Sequence, residues 1–189
     1  MTRIIGGSVG GRRLETPRGQ ATRPTSDRVR EALFSAVESR CGSLDGLRFL
    51  DLYAGSGAVG LEAWSRGAGV VTLVEQDRRT AALITRNAAA LGCTRARVIA
   101  SSVATVLASP PTAPYDVVFS DPPYPLPDED VARDLAALVA QGWLVPDALV
   151  VVERAAKRSE VHWPDGLEGQ RTKRYGETAL WYGHATPAP

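Results

Sequence analysis

The stretch Leu50-Asp51-Leu52-Tyr53-Ala54-Gly55-Ser56-Gly57-Ala58-Val59-Gly60 decides the fold. An apolar run, 48–53, enters a glycine-rich turn, and a helix-forming stretch, 58–66, leaves it. Glycines there let the backbone approach a ligand and let the helix pack closely on its strand. The alternation then repeats. Runs 70–75, 97–100, 115–120 and 148–153 read as buried parallel strands, and 77–91, 101–107 and 128–141 read as the helices between them. Such alternation predicts a doubly wound, Rossmann-like α/β sheet. The alternating segment 175–183 predicts a final strand that closes the sheet antiparallel.

Upstream, residues 1–25 are rich in glycine and arginine, with short apolar pieces that suit a small hairpin or arm. A helix follows, capped by Thr25 or Ser26, with Val29, Leu33, Ala36 and Val37 as its apolar stripe. The glycines at 42 and 46 mark a linker. Residues 1–45 are therefore expected to form an appended N-terminal extension, 46–185 the main domain, and 186–189 a frayed tail.

Bulk properties are those of a soluble globular chain: 189 residues, 44% hydrophobic and 23% charged. No apolar run approaches the roughly 18 residues of a membrane span, and the start carries no signal-peptide pattern, so a cytoplasmic protein is expected. Cys41 and Cys93 are far apart, and His162 and His184 are isolated, which excludes the spacing of a zinc site. The net charge of +1 is unevenly spread. Residues 1–40 hold eight arginines against four acids, whereas 41–150 hold eight basic and twelve acidic residues. A basic N-terminal segment on an acidic body points to a polyanionic partner.

Gly55-Ser-Gly57-Ala-Val-Gly60 matches GxGxxG, and Glu75 follows at the end of the next run, which is the dinucleotide fingerprint. Asp51, four residues before the first glycine, argues against a pyrophosphate, because a carboxylate near the helix N-terminus would repel it. S-adenosylmethionine fits better. Asp51 would sit near its ammonium, Tyr53, Ala54, Gly55, Ser56 and Gly57 would line its amino-acid and ribose portions, and Glu75 beside Gln76 would accept both ribose hydroxyls.

Seventy residues after Asp51, the run 115–120 ends in Asp121-Pro122-Pro123-Tyr124. Two prolines remove two backbone donors and hold the chain extended. What remains is a ledge of acceptors, the Asp121 carboxylate and nearby carbonyls, beside a flat ring. It suits a planar group offering N–H donors, such as the exocyclic amine of a nucleobase. In an open α/β sheet both clusters fall at the carboxyl edge, where ligands bind.

With these motifs the chain resembles the S-adenosylmethionine-dependent amino-methyltransferases that carry (D/N)PP(Y/F/W). More narrowly, it resembles the bacterial 16S ribosomal RNA guanine-N2 methyltransferases, on Arg3-Ile-Ile-Gly-Gly7, the segment from Thr22 to Phe34, the segment from Leu50 to Ala63, Asp121-Pro-Pro-Tyr124 and Lys173 to Leu180. The resemblance implies a class I methyltransferase fold: a seven-stranded, mostly parallel sheet with an antiparallel C-terminal strand, plus a small N-terminal hairpin and helix. It implies methyl transfer to N2 of one guanine, base 966, with 16S rRNA in a partly or fully assembled 30S subunit as partner. A monomer without metal is expected. Asp121, Pro122, Pro123 and Tyr124 would be catalytic. Relatives place an Asp after the third strand to accept from the adenine amine, whereas this chain has Ser101-Ser102, so Ser102 or the Val103 backbone takes that place. Arg3, Arg12, Arg13, Arg23, Arg28 and Arg30 are the expected phosphate contacts. Alternatives are a DNA adenine-N6 or cytosine-N4 methyltransferase, disfavoured by the lack of a sizeable recognition insertion, an NAD-linked oxidoreductase, and a non-enzymatic RNA-binding assembly factor.

Overall fold

Phe49, Leu50 and Leu52 are fully buried on opposite faces of one strand, which puts that strand at the centre of a sheet covered on both sides. The structure is a computed structural model, which describes residues 2–19 and 25–187. Arg23 and the end of the tail, Ala188-Pro189, lie outside the described residues. The elements run β1 (Thr2–Arg3), β2 (Arg13–Leu14), α1 (Asp27–Cys41), β3 (Arg48–Leu52), α2 (Ala58–Ser65), β4 (Val70–Glu75) and α3 (Arg78–Leu91). They continue β5 (Ala96–Ala100), α4 (Val103–Leu107), β6 (Tyr115–Ser120), α5 (Asp128–Ala140), β7 (Leu144–Ala155), β8 (Leu167–Tyr175) and β9 (Thr178–Ala185).

The main sheet has seven strands in the order β5-β4-β3-β6-β7-β9-β8. β3 to β7 are mutually parallel, and β9 is antiparallel to both its neighbours. The last strand is thus antiparallel as expected, but it lies inside the sheet rather than closing it. β8 takes the edge. It is exposed from Glu168 to Arg174 and polar on both faces, so it carries no alternation from which a strand could be read. Two apolar layers flank the sheet. Phe34, Leu61, Ile84, Phe119 and Val151 belong to the layer under α1–α3, and Leu50, Leu52, Leu135, Val150 and Val152 to the layer under α4 and α5. Among the described residues no helix is long and apolar enough to cross a membrane.

The N-terminal hairpin forms, pairing Thr2 with Leu14 and Arg3 with Arg13. It is built into the main core: Ile4 and Leu14 are buried in the same apolar layer as Leu33 and Leu61. The buried Glu62 of α2 explains the docking. Its two oxygens accept the Ile5 and Gly6 N–H groups at 2.7 and 2.8 Å, and it pairs with Arg66 at 2.9 Å and Arg30 at 3.6 Å. Gly7, at φ 81°, passes so close that a β-carbon would lie 2.0 Å from the Ser65 carbonyl oxygen. Asn87 of α3 holds the other end, exchanging hydrogen bonds with the Glu15 backbone at 2.9 and 3.0 Å and donating to the Ser56 carbonyl at 3.1 Å. Arg30, expected to contact phosphate, is completely buried and bound to Asp27 at 2.8 Å. Its place on the inner face of α1 sets it against Glu62 of α2, so it serves the core rather than RNA.

Removing one partner of a buried ion pair leaves a charge without compensation. Glu62→Ala is expected to destabilise the protein by about 3–5 kcal/mol in urea unfolding. An unchanged midpoint would show that the hairpin docks without this carboxylate.

Candidate functional site

Parallel register gathers four acids near the carboxyl ends of adjacent strands. Leu52 pairs with Val74 and with Ser120, and Ser120 pairs with Val152. Glu75, Asp121 and Glu153 therefore stand level at the strand ends, with Asp51 two residues further back on β3, where it pairs with Leu73 and Phe119, and side-chain alternation turns Asp51, Asp121 and Glu153 to the α1–α3 face. They line a pocket of about 870 Å³. Thr2 and Thr16 of the N-terminal segment, Thr25 before α1 and the loop after β6 form its other walls.

In the glycine turn the acids bind backbone donors. Asp51 Oδ2 accepts the Gly60 N–H at 2.9 Å, satisfying a donor in the first turn of α2. A β-carbon at Gly60 would lie 2.6 Å from Leu73 Cδ2, so only glycine lets α2 press onto β4. Glu75 accepts the Gly55 N–H on Oε2 and the Asp77 N–H on Oε1, each at 2.9 Å. Each oxygen keeps a further lone pair for a ligand. Burial, aided by the Glu75 charge and opposed by the Gly60 N–H, pushes the Asp51 carboxyl up to about 7.

At the other half, the Asp121 N–H donates to the Leu52 carbonyl at 3.3 Å, which carries the strand pairing one residue further. Ser26, not Thr25, caps α1, accepting the Val29 N–H at 3.3 Å. The Thr25 hydroxyl instead faces Glu153 Oε2 at 3.1 Å and Asp121 Oδ2 at 3.4 Å. Burial, then the charges of Glu153 and Asp51, hold the Asp121 carboxyl well above the usual range, against a pull from Thr25 and Arg154. Tyr124 stands out at 47% exposure, the one large exposed hydrophobic among the described residues. Its backbone is nevertheless fixed: Arg158 donates to the Tyr124 carbonyl, and Arg154 donates to the Leu126 carbonyl at 2.9 Å and to Asp128 at 2.8 Å. Tyr53 adopts φ 60° and donates its hydroxyl to Asp134, and burial pushes that hydroxyl far above its ordinary range.

Of the residues singled out in the sequence, Asp51, Tyr53, Ala54, Gly55, Ser56, Glu75, Gln76, Val103 and the whole of 121–124 line this pocket. Gly57 lies behind it as the N-cap of α2, at φ 82°. Ser102 does not line it. Its Oγ caps α4, accepting the Thr105 N–H at 3.2 Å and donating to Thr105 Oγ1 at 2.7 Å, so its hydroxyl is committed to the helix. The arginines disperse. Arg3 is exposed and paired with Asp27 at 3.1 Å, and Arg13 and Arg28 are exposed. Arg12 donates to the Ala90 carbonyl at 2.7 Å, about 20 Å along α3 from the pocket edge. Sequence reasoning missed Thr25, Glu153 and Arg154 as pocket residues. Glu153 had a signal: it ends an apolar run just as Glu75 does. No metal-binding cluster of His, Cys, Asp or Glu occurs among the described residues.

A family model described as conserved hypothetical protein 95 matches residues 2–184. The chain is 39% identical over 182 residues to the ribosomal RNA small subunit methyltransferase D of Escherichia coli K12, covering 94% of this chain and 86% of that protein. The protein of the same name from Haemophilus influenzae is 38% identical over 160 residues, covering 80% and 77%. Among solved structures, the Escherichia coli protein yhhF, provisionally named a methyltransferase, superposes with a TM-score of 0.87 at 34% identity over 98% of both chains. The fold is also that of a Streptococcus mutans protein, SMU.776, solved with SAH, at a TM-score of 0.62 and 17% identity, covering 84% of this chain and 48% of that one.

A cation seated against these carboxylates favours their ionised form. Because Asp51 titrates at about 7 without such a cation, affinity for cationic S-adenosylmethionine is expected to rise with pH up to that point and level off above it. Calorimetry from about pH 5.5 to about pH 8.5 measures this slope, and Asp51→Asn should flatten it. A wild-type affinity independent of pH would show that Asp51 does not sense the ligand's charge.

Proposed function

This chain belongs to the conserved hypothetical protein 95 family, that of the small-subunit ribosomal RNA methyltransferases D, and on that premise we propose that it methylates the exocyclic N2 of a single guanine in 16S rRNA. S-adenosylmethionine is the methyl donor, and the partner is the RNA within a partly or fully assembled 30S subunit. The observation that carries this reading is one pocket lined by both halves of the chemistry: Asp51, the glycine turn and Glu75 on one side, Asp121 to Tyr124 on the other.

The acidic lining fits the donor. Its carboxylates, with Asp51 and Asp121 pushed up, call for positive charge, which the ammonium and sulfonium of S-adenosylmethionine provide. The same acids disfavour the pyrophosphate of NAD. Bound S-adenosylmethionine would supply an electrophilic methyl carbon: as the N–C bond forms the C–S bond breaks, the thioether leaves, and the amine's surplus proton passes to the Asp121 carboxylate or to water. The protein's part is to prepare the nitrogen. An amine conjugated to a purine ring is a poor nucleophile because its lone pair is delocalised. Accepting its two N–H groups on the Asp121 carboxylate and the Pro122 carbonyl shifts the nitrogen toward tetrahedral geometry, which withdraws the lone pair from the ring's π system and aims it at the methyl carbon. Charge developing on nitrogen then meets a negative group already in position, and most of the gain is alignment. The exposed Tyr124 ring stacks on the base, which must leave its own stack to arrive there. Exposed Arg3, Arg13 and Arg28 grip the phosphates.

Incubation with labelled S-adenosylmethionine and small-subunit particles from a strain lacking the enzyme, followed by mapping of the modified base, tests the reading directly. Label at N2 of one guanine is the expected result, and label on adenine or cytosine would overturn it. Asp121→Ala is expected to lower kcat by at least about 100-fold in a protein that still binds S-adenosylmethionine through Glu75 and the glycine turn. Replacing Arg3, Arg13 and Arg28 by Gln should weaken RNA binding and reduce its salt slope by about one for each arginine replaced. An unchanged slope would remove them from the interface.

A further inference from the structure

We propose that Glu153 is the residue that selects guanine: its carboxylate accepts the N1–H of the target base beside the N2–H held by Asp121. The inference rests on the guanine-N2 reading above and supplies what the Asp-Pro-Pro-Tyr ledge lacks, since that ledge recognises an amine and not a particular base.

Strand register brings the two acids together. Ser120 pairs with Val152, so the next residues along, Asp121 and Glu153, are neighbours on parallel strands and face the same side. Both line the pocket. The Thr25 hydroxyl reaches an oxygen of each, at 3.4 and 3.1 Å, so the two carboxylates present one continuous acceptor edge. Arg154, adjacent in sequence, leaves the strand on the opposite face, where Nη2 donates to the Leu126 carbonyl and to Asp128 while Nη1 is buried without a hydrogen-bond partner. Glu153 is only 8% exposed, and its charge helps to push up the Asp121 carboxyl. Two neighbouring carboxylates with restricted access to water favour a ligand that brings two adjacent donors.

Among the bases with exocyclic amines, guanine alone offers that edge. Its N2–H is flanked by N1–H, a second donor. Adenine presents the N1 lone pair beside N6, and cytosine presents the N3 lone pair beside N4. Either would set a lone pair against the Glu153 carboxylate in a site shielded from water, a heavier penalty than a hydrogen bond merely forgone. The selection is therefore partly repulsive. A neighbouring acid able to take N1–H distinguishes this pocket from one that methylates adenine or cytosine through the same tetrapeptide. Thr25, donating to either oxygen, keeps the edge oriented.

The experiment replaces the methylated guanine, by ligation of a synthetic segment into the small-subunit RNA, with 2-aminopurine. This base keeps the 2-amine but has a bare acceptor at N1. Wild-type enzyme should prefer guanine in kcat/KM on the order of ten- to a hundredfold. In Glu153→Gln the amide can donate to N1, so the guanine rate falls, the 2-aminopurine rate does not, and the preference shrinks to a few-fold or less. Glu153→Asp, a carboxylate on a shorter arm, should lose rate but keep the preference. The urea-unfolding midpoint is measured for each variant, and its retention shows that the protein is folded. If Glu153→Gln lowers both substrates by the same factor, Glu153 does not read the base and the inference fails while guanine-N2 methylation stands. If the wild-type enzyme does not methylate guanine at N2, the parent reading falls and the inference with it.

Discussion

Everything at the carboxyl edge depends on holding four carboxylates in one pocket, three level at the strand ends and Asp51 two residues behind them, against their mutual repulsion. Parallel pairing puts them there, because neighbouring parallel strands end together and carry the same side-chain parity. Unsupported, such a group would splay apart or force a strand end open. Here local donors oppose this: the Gly60 N–H on Asp51, the Gly55 and Asp77 N–H groups on Glu75, and the Thr25 hydroxyl between Asp121 and Glu153. Even so, Asp51 and Asp121 remain pushed up, so part of the repulsion persists. A cationic ligand relieves it, and the strain thereby becomes binding energy.

The N-terminal segment, seen from this edge, has a different role from the one its charge suggests. Its arginines invite a reading as a loose RNA-binding arm, yet its glycines and apolar residues dock it against α2 and α3. Glu62 takes two of its backbone N–H groups, Asn87 joins it to the glycine turn, and buried Arg30 joins α1 to the same Glu62. Docked in this way, Thr2, Thr16 and Thr25 become pocket walls. Basic residues in one segment thus divide by orientation: Arg30 is structural, Arg12 is spent on a helix end, and Arg3, Arg13 and Arg28 remain on the surface.

The fold was legible in the sequence wherever burial imposes a period. β3, β4 and β6 are continuous apolar runs covered on both faces, and α3 has an apolar face with Gly92 ending it, so their bounds fall within a residue or so of expectation. β8 was not legible, because an exposed edge strand has no face to bury and its polar residues look like a loop. The internal position of β9 is a matter of topology, which local pattern does not encode. At the pocket, residues close in sequence to a motif were legible, whereas Thr25 and Arg154 enter through tertiary structure alone. Ser102 misled for a local reason: a serine before a short helix has its own N–H groups to satisfy, and the cap took it.

Glu153 shows where motif reading stops and register must take over. Asp121 announces itself through the two prolines that follow, since that sequence is hard to explain without the ledge it builds. Glu153 carries no such marker: in the sequence it only ends an apolar run, as Glu75 does. Only the pairing of Ser120 with Val152 makes it a neighbour of Asp121, and only strand parity turns both to the same side. A motif fixes what is recognised over four residues of one strand; the width of a base spans two strands. On the proposed reading, the identity of the base falls to residues on the adjacent strand, at the position where the register brings them level with the motif.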